Sequence, residues 1–356
     1  MTGSKIAHFG LARQYRNLKE ELLDATDQVL SSGTLMNGEY TSRFESWLGL
    51  RTKTNFVITV HSGTQALEIM AKYYVKEYQG VLEMVPTIKL PNISYIATLN
   101  AFLNAGWDVQ LIDTDRNGLI KVDTDELDDV VNSLCLVGLY GANPVGSSIF
   151  NTTIVDGAQH WLVADNVGDA MAISFDPTKN LPASGNGGAI VTNDRFLYEF
   201  AYSYRSNGKD EFSVPGTNSR MSEQECAQIL VRTKYIDNWQ WRRKEIRYYY
   251  LNEFKNLPIS CLSRDHMIHA DQKFVIYTDR RDDLMKYLLD KDIEVKIHYS
   301  KALSEYPVAK GLVKPDMLST SVMLCRGLLS LPIYPELSDG EVEYIAKQVK
   351  QFFTLC

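Results

Sequence analysis

The chain has 356 residues, of which 45% are hydrophobic and 23% are charged, as in ordinary globular proteins. Its formal net charge of -7 argues against a general binder of nucleic acids or of anionic membrane surfaces. This length predicts a large and a smaller domain rather than a single core.

The cysteines and the apolar runs narrow the class of protein further. The five cysteines stand singly, with no CxxC pair and no metal-ligand spacing, so we expect reduced thiols and no metal site. Residues 1–15 lack the apolar core of a signal peptide, and no apolar run approaches about 18 residues. We therefore expect a cytoplasmic protein that makes no membrane contact.

Short apolar runs alternate with amphipathic segments through the first two thirds of the chain. The apolar runs predict strands at 55–60, 85–90, 108–112, 134–140, 152–155, 171–175 and 189–192. Helical spacing of aliphatic residues predicts helices at 11–31, around 44–48, 62–78, 97–104, 123–131 and 194–204. This alternation predicts an α/β fold whose mostly parallel sheet is flanked by helices on both faces.

The last third of the chain predicts a second, smaller unit. A long helical region extends from Arg220 to about Phe254, and we place the change of domain between residues 248 and 249. Beyond it, strand and helix patterns alternate at 273–278, 282–289, 293–297, 329–333 and 339–353. We thus expect a large domain at 1–248 and a small C-terminal α/β domain at 249–356.

One lysine stands in a loop of unusual composition. Lys179 lies between the predicted strands 171–175 and 189–192, and Gly185, Gly187 and Gly188 follow it in the same loop. Such glycines allow close approach of the backbone or a positive φ. A lone loop lysine is usually a solvated surface charge, so its interpretation depends on what lies around it.

Three other polar groups come at or just after the ends of predicted strands. Ser62-Gly63-Thr64 opens a helix, and the first amides of a helix bind anions, although Ser and Thr are also ordinary N-caps. Asp156 and Ser174 end two further strands, and Asp156 would also suit a turn or an N-cap. Ligands of open α/β sheets bind beyond the carboxyl ends of the strands. We therefore expect these groups and Lys179 to gather at one edge of one sheet.

That set of groups suits pyridoxal 5'-phosphate (PLP). The cofactor needs a lysine amine for a Schiff base, an acid beside its ring nitrogen, a phosphate cup and a flat cover. Lys179 suits the first task and Asp156 the second. The candidates for the phosphate cup and the cover are Gly63, Thr64, Ser174 and Tyr95.

The order of several motifs resembles the DegT/DnrJ/EryC1/StrS aminotransferases, fold-type-I PLP enzymes that mostly make amino sugars on nucleotide carriers. The resemblance extends over about residues 10–353. Its motifs are SGTQAL at 62–67, DGAQ at 156–159, SF with Lys179 at 174–179 and GNGG at 185–188, joined by matches at 37–38, 90–98, 218–222, 297–299 and 329–332.

The resemblance implies a role for each matching residue. Lys179 would hold the cofactor as a Schiff base and move the proton between substrate and cofactor carbons, while Asp156 would pair with the ring nitrogen. Gln159 would lie near the ring hydroxyl, and Tyr95 would stack on the ring. Asn218 would reach the cofactor phosphate of the other subunit, which implies a homodimer with shared active sites. The implied substrate contacts are Arg220, His298 and Tyr299.

The chain departs from the family pattern at several positions near these motifs. Asp176 stands where the family usually has a histidine, Asn186 where it has a glutamate, and Gly157 where it has an alanine. The segment 159–174 is short and lacks the usual histidine-glycine pair. His160 is one position away from that histidine, and we interpret it as a structural residue.

The leading hypothesis is a PLP-dependent aminotransferase that moves an amino group from glutamate or glutamine to a keto sugar on a nucleotide. A cyclitol acceptor stays open, and the segments 34–40, 207–218 and 298–307 are the expected specificity loops. One alternative is a PLP sugar dehydratase of the same fold, in which a histidine replaces the lysine; Lys179 argues against it. Another is a regulatory member without turnover, which Asp176 and Asn186 keep open.

Overall fold

The computed structural model describes residues 5–82, 85–121, 132–144, 150–209, 215–263, 267–312 and 318–354. The helix predicted at 123–131 lies outside the described residues. Among the described residues, no helix combines the length and the apolar composition that a membrane crossing requires.

A seven-stranded, mostly parallel sheet forms the centre of the first unit, as predicted. Its spatial order is β1-β7-β6-β5-β4-β2-β3. The strands β6, β5, β4, β2 and β3 run parallel, and β7 lies antiparallel between β6 and β1. The strands are β1 Phe56–Val60, β2 Thr87–Pro91, β3 Asp108–Ile112, β4 Asn132–Val137, β5 Thr152–Asp156, β6 Ala170–Ser174 and β7 Gly188–Thr192.

Helices cover both faces of this sheet because successive strand residues point to opposite sides. Ile58 and Ile190 pack against one group of helices, whereas Val57 and Val191 pack against the other. The first group comprises α3 Gly63–Leu82, α4 Ile96–Ala105 and α5 Arg195–Tyr204. The other face is covered by α2 Glu39–Thr52 and α6 Glu223–Thr233, and α1 Leu11–Ser32 packs on α6.

A second, three-stranded antiparallel sheet has the order β10-β9-β8 and its own apolar core. Ile246 and Tyr250 belong to this core, so α7 joins the second unit while it runs unbroken across residues 248 and 249. The domain boundary at those residues stays a prediction. The elements are α7 Ile236–Phe254, β8 Ser260–Cys261, β9 Phe274–Tyr277, α8 Arg281–Leu289, α9 Ser319–Gly327, β10 Leu328–Leu331 and α10 Asp339–Thr354.

Three sequence-based predictions of secondary structure were wrong in detail. Residues 293–297 form only isolated bridges, Ile293 to Ile6 and Lys296 to Ser330, although Ile293 and Val295 are buried as a strand pattern requires. The strand predicted at 134–140 ends at Val137, because the chain turns through a short 3-10 helix in which Tyr140 has a φ of 60°. The helical region 220–254 is two helices with a break at 234–235, and α9 and β8 were not predicted.

Glu223, the first residue of α6, is buried and holds the beginning of α2. Its carboxylate accepts hydrogen bonds from the backbone amides of Gly38, Tyr40 and Thr41, each at 2.8 Å, and from the Thr41 hydroxyl. The first amides of a helix have no partner within the helix and lie at the positive end of its dipole. A buried carboxylate at this place therefore fixes α2 to α6.

We predict that Glu223→Ala lowers the free energy of unfolding by about 3 kcal/mol, because it removes the acceptor of these amides. The matched control is Glu39→Ala on α2, whose exposed carboxylate pairs with Arg43 across one turn. This control should change stability by less than about 0.5 kcal/mol. Urea unfolding of both variants measures the difference, and equal losses would show that water replaces the Glu223 carboxylate.

Candidate active site

The polar groups predicted at strand ends meet at one edge of the large sheet. β5 and β6 are parallel, and β1 has the same direction because two antiparallel pairings separate it from β6. Asp156 is the last residue of β5 and Ser174 the last of β6, while Gly63 opens α3 just after β1. The topology of the sheet therefore brings the predicted groups together at this edge.

A cavity of about 380 Å³ lies at this edge. All the predicted site residues line it except Asn218 and Arg220. The lining residues that the sequence predicted are Gly63, Thr64, Tyr95, Asp156, Gln159, Ser174, Lys179, His298 and Tyr299.

Asp156 is buried at the inner end of the cavity. Its Oδ2 accepts a hydrogen bond from the Thr98 hydroxyl at 2.7 Å, and its Oδ1 accepts one from the Ala158 amide at 3.1 Å. Burial raises the pKa of Asp156, and these two hydrogen bonds and the charge of Lys179 oppose that rise. Both donors thus favour the ionised carboxylate.

Lys179 faces the same cavity from the loop between β6 and β7. Its backbone amide donates to the carbonyl of Asp176 at 2.9 Å, which places the lysine in a tight turn. Burial lowers the pKa of the Lys179 amine, while the charges of Asp156 and Asp176 oppose that shift. The amine therefore loses its proton more readily than a solvated lysine and has carboxylates nearby.

The beginning of α3 lines the cavity beside these groups, as an anion site would require. The Ser62 hydroxyl accepts from the Gln65 amide at 3.2 Å and the Ser62 carbonyl accepts from the Ala66 amide at 3.0 Å. The amides of Gly63 and of the next residue have no partner within the helix and face the cavity end. A Cβ on Gly63 would lie 2.7 Å from the Cβ of Ser174, so only glycine lets the helix approach β6 this closely.

Aromatic and amide side chains form the opposite wall. Gln159 accepts from the Tyr140 amide at 2.8 Å and donates to the Tyr299 hydroxyl at 3.4 Å. The rings of Tyr95 and Tyr299 lie 6.2 Å apart, and Tyr95 is 57% exposed at the cavity mouth. His298 is fixed by Ser330, whose Oγ lies 2.9 Å from its Nδ1. Burial lowers the pKa of His298 to about 2, so its ring is neutral.

The structure brings neither Asn218 nor Arg220 to this cavity. Asn218 is exposed and bridges to Ser206, and Arg220 is half-buried outside the cavity lining. Their implied contacts with a partner's cofactor and with substrate stay predictions.

Several cavity residues were not predicted as site residues. Asp176 and Asn186, the departures from the family pattern, both line the cavity. Lys273 reaches it from the segment before β9, and Thr98 supports Asp156 from α4. Asp176 and Asn186 had a signal in the departures themselves. Thr98 lies in the matching segment 90–98 together with Tyr95, but no role was assigned to it, and Lys273 lies in none of the matching segments.

The cavity fits the PLP that the resemblance implies. An amine, a buried carboxylate and free helix amides line one space, as the aldehyde, the ring nitrogen and the phosphate of that cofactor require. The close packing of Gly63 on Ser174 brings the helix amides next to a hydroxyl, which adds a further donor for a phosphate. These residues would therefore hold the cofactor.

His160 lies outside the cavity lining and is 1% exposed. A Cβ on Gly138 would lie 1.8 Å from the His160 Nδ1, so the ring packs directly on that backbone. Among the described residues, Nδ1 has no hydrogen-bond partner. Burial, with a smaller effect of His269, lowers the pKa of His160 to about 3.

We predict that His160 makes the fold sensitive to acid. Below pH 6.5 the unfolded chain takes up a proton on this ring while the folded chain does not until about pH 3, so stability falls as the pH drops through that window. Between pH 7.5 and 5, the wild type should lose about 2 kcal/mol more than His160→Asn. Urea unfolding at both pH values measures this. His61→Asn, which removes an exposed histidine, is the control, and equal losses in wild type and His160→Asn would contradict the prediction.

The chain also matches a known protein family. A model of the DegT/DnrJ/EryC1/StrS aminotransferase family matches residues 16–135 and 163–350. The unmatched segment between them contains Asp156 and Gln159, whose assignment therefore rests on the geometry of the cavity and on the short DGAQ motif.

Similar proteins match over almost their whole length. A dTDP-3-amino-3,6-dideoxy-alpha-D-galactopyranose transaminase from Aneurinibacillus thermoaerophilus is 29% identical, with 94% of this chain and 96% of the relative covered. A Pleiotropic regulatory protein from Geobacillus stearothermophilus is 26% identical, with 96% and 97% covered. The crystal structure of S. venezuelae DesV in complex with a ketimine intermediate superposes with a TM-score of 0.87 at 25% identity, over 98% of this chain and 99% of that one.

Proposed function

The chain belongs to the DegT/DnrJ/EryC1/StrS aminotransferase family, and we propose that it is a PLP-dependent enzyme that aminates a nucleotide-linked keto sugar. The amino group would come from glutamate or glutamine. The observation that carries the proposal is the grouping of the Lys179 amine, the Asp156 carboxylate and the free amides of α3 around one cavity. PLP, when bound, supplies an aldehyde that takes up and returns the amino group and a ring that withdraws electrons.

Lys179 is the proposed base and acid. Because burial lowers its pKa, its Nζ loses its own proton more readily than a solvated lysine, and it is proposed to take one from a substrate carbon. The nearby Asp156 and Asp176 stabilise the charge that Nζ then carries, so the same atom can return the proton. A lysine with this environment suits transfer of a proton in both directions.

Asp156 is proposed to hold a positive charge on the cofactor's ring nitrogen. Its two hydrogen bonds, from Thr98 and from the Ala158 amide, favour the ionised carboxylate in a buried place. The amides of α3 and the Ser174 hydroxyl would hold the phosphate.

The exposed position of Asn218 is compatible with its proposed contact to the cofactor phosphate of a partner subunit in a homodimer. The remaining proposed contacts are Gln159 beside the ring hydroxyl, Tyr95 over the ring, and Arg220, His298 and Tyr299 toward substrate.

The acceptor proposed here is a keto sugar on a nucleotide, in line with the transaminase names of the relatives. The cavity of about 380 Å³ is at the small end of ligand pockets and also has to hold the cofactor. The sugar carbon that reacts would enter it, and most of the nucleotide would lie outside.

A second candidate function is a regulatory member without turnover. A relative with the name Pleiotropic regulatory protein and the two departures in the cavity wall, Asp176 and Asn186, favour it. The two functions differ in one property, since only the aminotransferase removes the amino group from a donor.

The first test compares the wild type with Lys179→Ala by visible absorption after addition of PLP. We expect a yellow band in the wild type that bleaches with L-glutamate or L-glutamine and is absent in Lys179→Ala, because only the wild type has the amine that binds the aldehyde. Lys19→Ala, which removes a surface lysine, should behave as the wild type.

The same spectra separate the alternatives. A wild type that takes up no PLP contradicts the proposed function. A band that forms but does not respond to any amino donor favours the regulatory candidate. If the band bleaches, nucleotide-linked keto sugars are then offered to the bleached protein, and return of the band identifies the acceptor.

Removal of the Thr98 hydroxyl gives a second test, which examines the proposed role of the Asp156 carboxylate. Thr98→Val removes a hydrogen bond to Asp156 and should raise the Kd for PLP about tenfold, because the carboxylate is then less readily ionised. Thr98→Ser keeps the hydroxyl and should stay within about twofold of the wild type. Absorbance titration with PLP measures both. Equal affinities for wild type and Thr98→Val would show that this donor does not support the cofactor.

A further inference from the structure

A second lysine, Lys273, lines the same cavity as Lys179. It is 5% exposed and comes just before β9, so it reaches the cavity from the second sheet, across from β5 and β6. Its backbone amide donates to the Tyr140 carbonyl at 3.1 Å, which fixes the position of the residue at the cavity wall.

Lys273 has no acidic partner among the described residues. No carboxylate oxygen of that part of the chain lies within 4.0 Å of its amine, which donates to the Gln272 Oε1 at 2.9 Å and lies 5.8 Å from the centre of the Phe9 ring. A buried ammonium group without a paired anion is unfavourable. A site of this kind is stabilised when an anion enters the cavity.

Burial lowers the pKa of Lys273 well below its ordinary value, and the charges near its amine shift that pKa as well. Lys179, Lys296 and Arg243 all act on its amine as like charges, and Asp176 is the acid that opposes them. The neighbouring histidines are neutral, since burial lowers the pKa of His298 to about 2. An anion that enters beside this amine would favour its protonated form, because it supplies the charge partner that the described residues lack.

The proximity of the two lysines limits which anion can bind. Lys273 and Lys179 line the same cavity of about 380 Å³, so the second amine shares this small space with the group proposed to move the proton. In an amino acid the α-carboxylate is bonded directly to the carbon that loses this proton. In a sugar nucleotide the diphosphate is separated from the reacting carbon by the sugar ring, and this small cavity leaves the nucleotide outside.

We propose that Lys273 binds the α-carboxylate of the amino donor and so acts in the donor half of the reaction only. This inference rests on the proposed function, because it needs an amino-acid donor in the cavity. A keto sugar has no carboxylate at the reacting carbon, so its amination does not use this contact. The cavity would then recognise the donor and the acceptor through different contacts, while Lys179 transfers the proton in both halves of the reaction.

The test uses the PLP-loaded protein and follows the bleaching rate as a function of L-glutamate and L-glutamine concentration. Lys273→Met keeps the length of the side chain and removes its charge, and it should raise the donor concentration for half-maximal rate about 10- to 100-fold. The limiting rate should change less than about threefold, since Lys273 does not move the proton. Lys273→Arg should recover part of the affinity.

The matched control is Lys286→Met, which removes an exposed lysine of α8 that does not line the cavity. It should leave the donor dependence as in the wild type. Thermal unfolding of both variants checks the fold, and Met at position 273 is expected to be tolerated because it replaces a buried charge by an apolar group.

A binding measurement gives a readout apart from activity. Glutarate, a dicarboxylate without an amine, is titrated into loaded wild type and loaded Lys273→Met in a calorimeter. We expect binding to the wild type and a loss of about tenfold or more in the variant. Equal affinity, or no binding to the wild type, overturns the proposal.

Two other outcomes also overturn it, and each leaves the proposed function standing. If Lys273→Met no longer forms the yellow band, Lys273 serves the cofactor rather than the donor. If its donor dependence is unchanged while calorimetry shows weaker binding of dTDP, Lys273 belongs to the nucleotide. Failure of the proposed function is seen separately, as a wild type without the yellow band.

Discussion

The site depends on ionisable side chains, Lys179 and Asp156, that lie where little water reaches them. Burial lowers the pKa of Lys179 and raises that of Asp156, so each group alone would tend to become neutral. The charge of Asp156 opposes the pKa shift of Lys179, and the charge of Lys179 opposes that of Asp156. The Thr98 hydroxyl and the Ala158 amide also stabilise the ionised carboxylate. The arrangement of strand ends around the cavity is what brings these mutually dependent groups together.

The lysine loop is held from both sheets. The Asn180 side chain donates to the Ala270 carbonyl at 2.6 Å, and Gln272 donates to the Thr178 carbonyl at 2.9 Å. The segment 270–272 leads directly into Lys273 and β9. The position of Lys179 therefore depends on the segment that leads into the second sheet, and the same segment positions Lys273.

Much of the fold was predictable because the strands of a doubly covered sheet are apolar runs that alternate with amphipathic helices. Asp156 and Ser174 were predictable because strand ends share one edge of such a sheet. The strand at 293–297 was wrong because alternation reports burial and not pairing: Ile293 is buried, yet it forms only an isolated bridge. Lys273 was missed because a lysine at the first position of a predicted strand suggests solvent exposure, and its burial arises from residues far away in the sequence.

The hydrogen bonds of the Glu223 carboxylate join two segments of the chain, which should therefore change together during evolution. Met36 bridges to Ser222, and the amides at the beginning of α2 bind Glu223, so the segments 36–41 and 218–223 form one body. A lineage that acquires a new acceptor by altering the first segment displaces the second as well. Recombination between relatives should accordingly preserve these two segments as a pair, and a chimera that exchanges only one of them separates a buried acid from its donors.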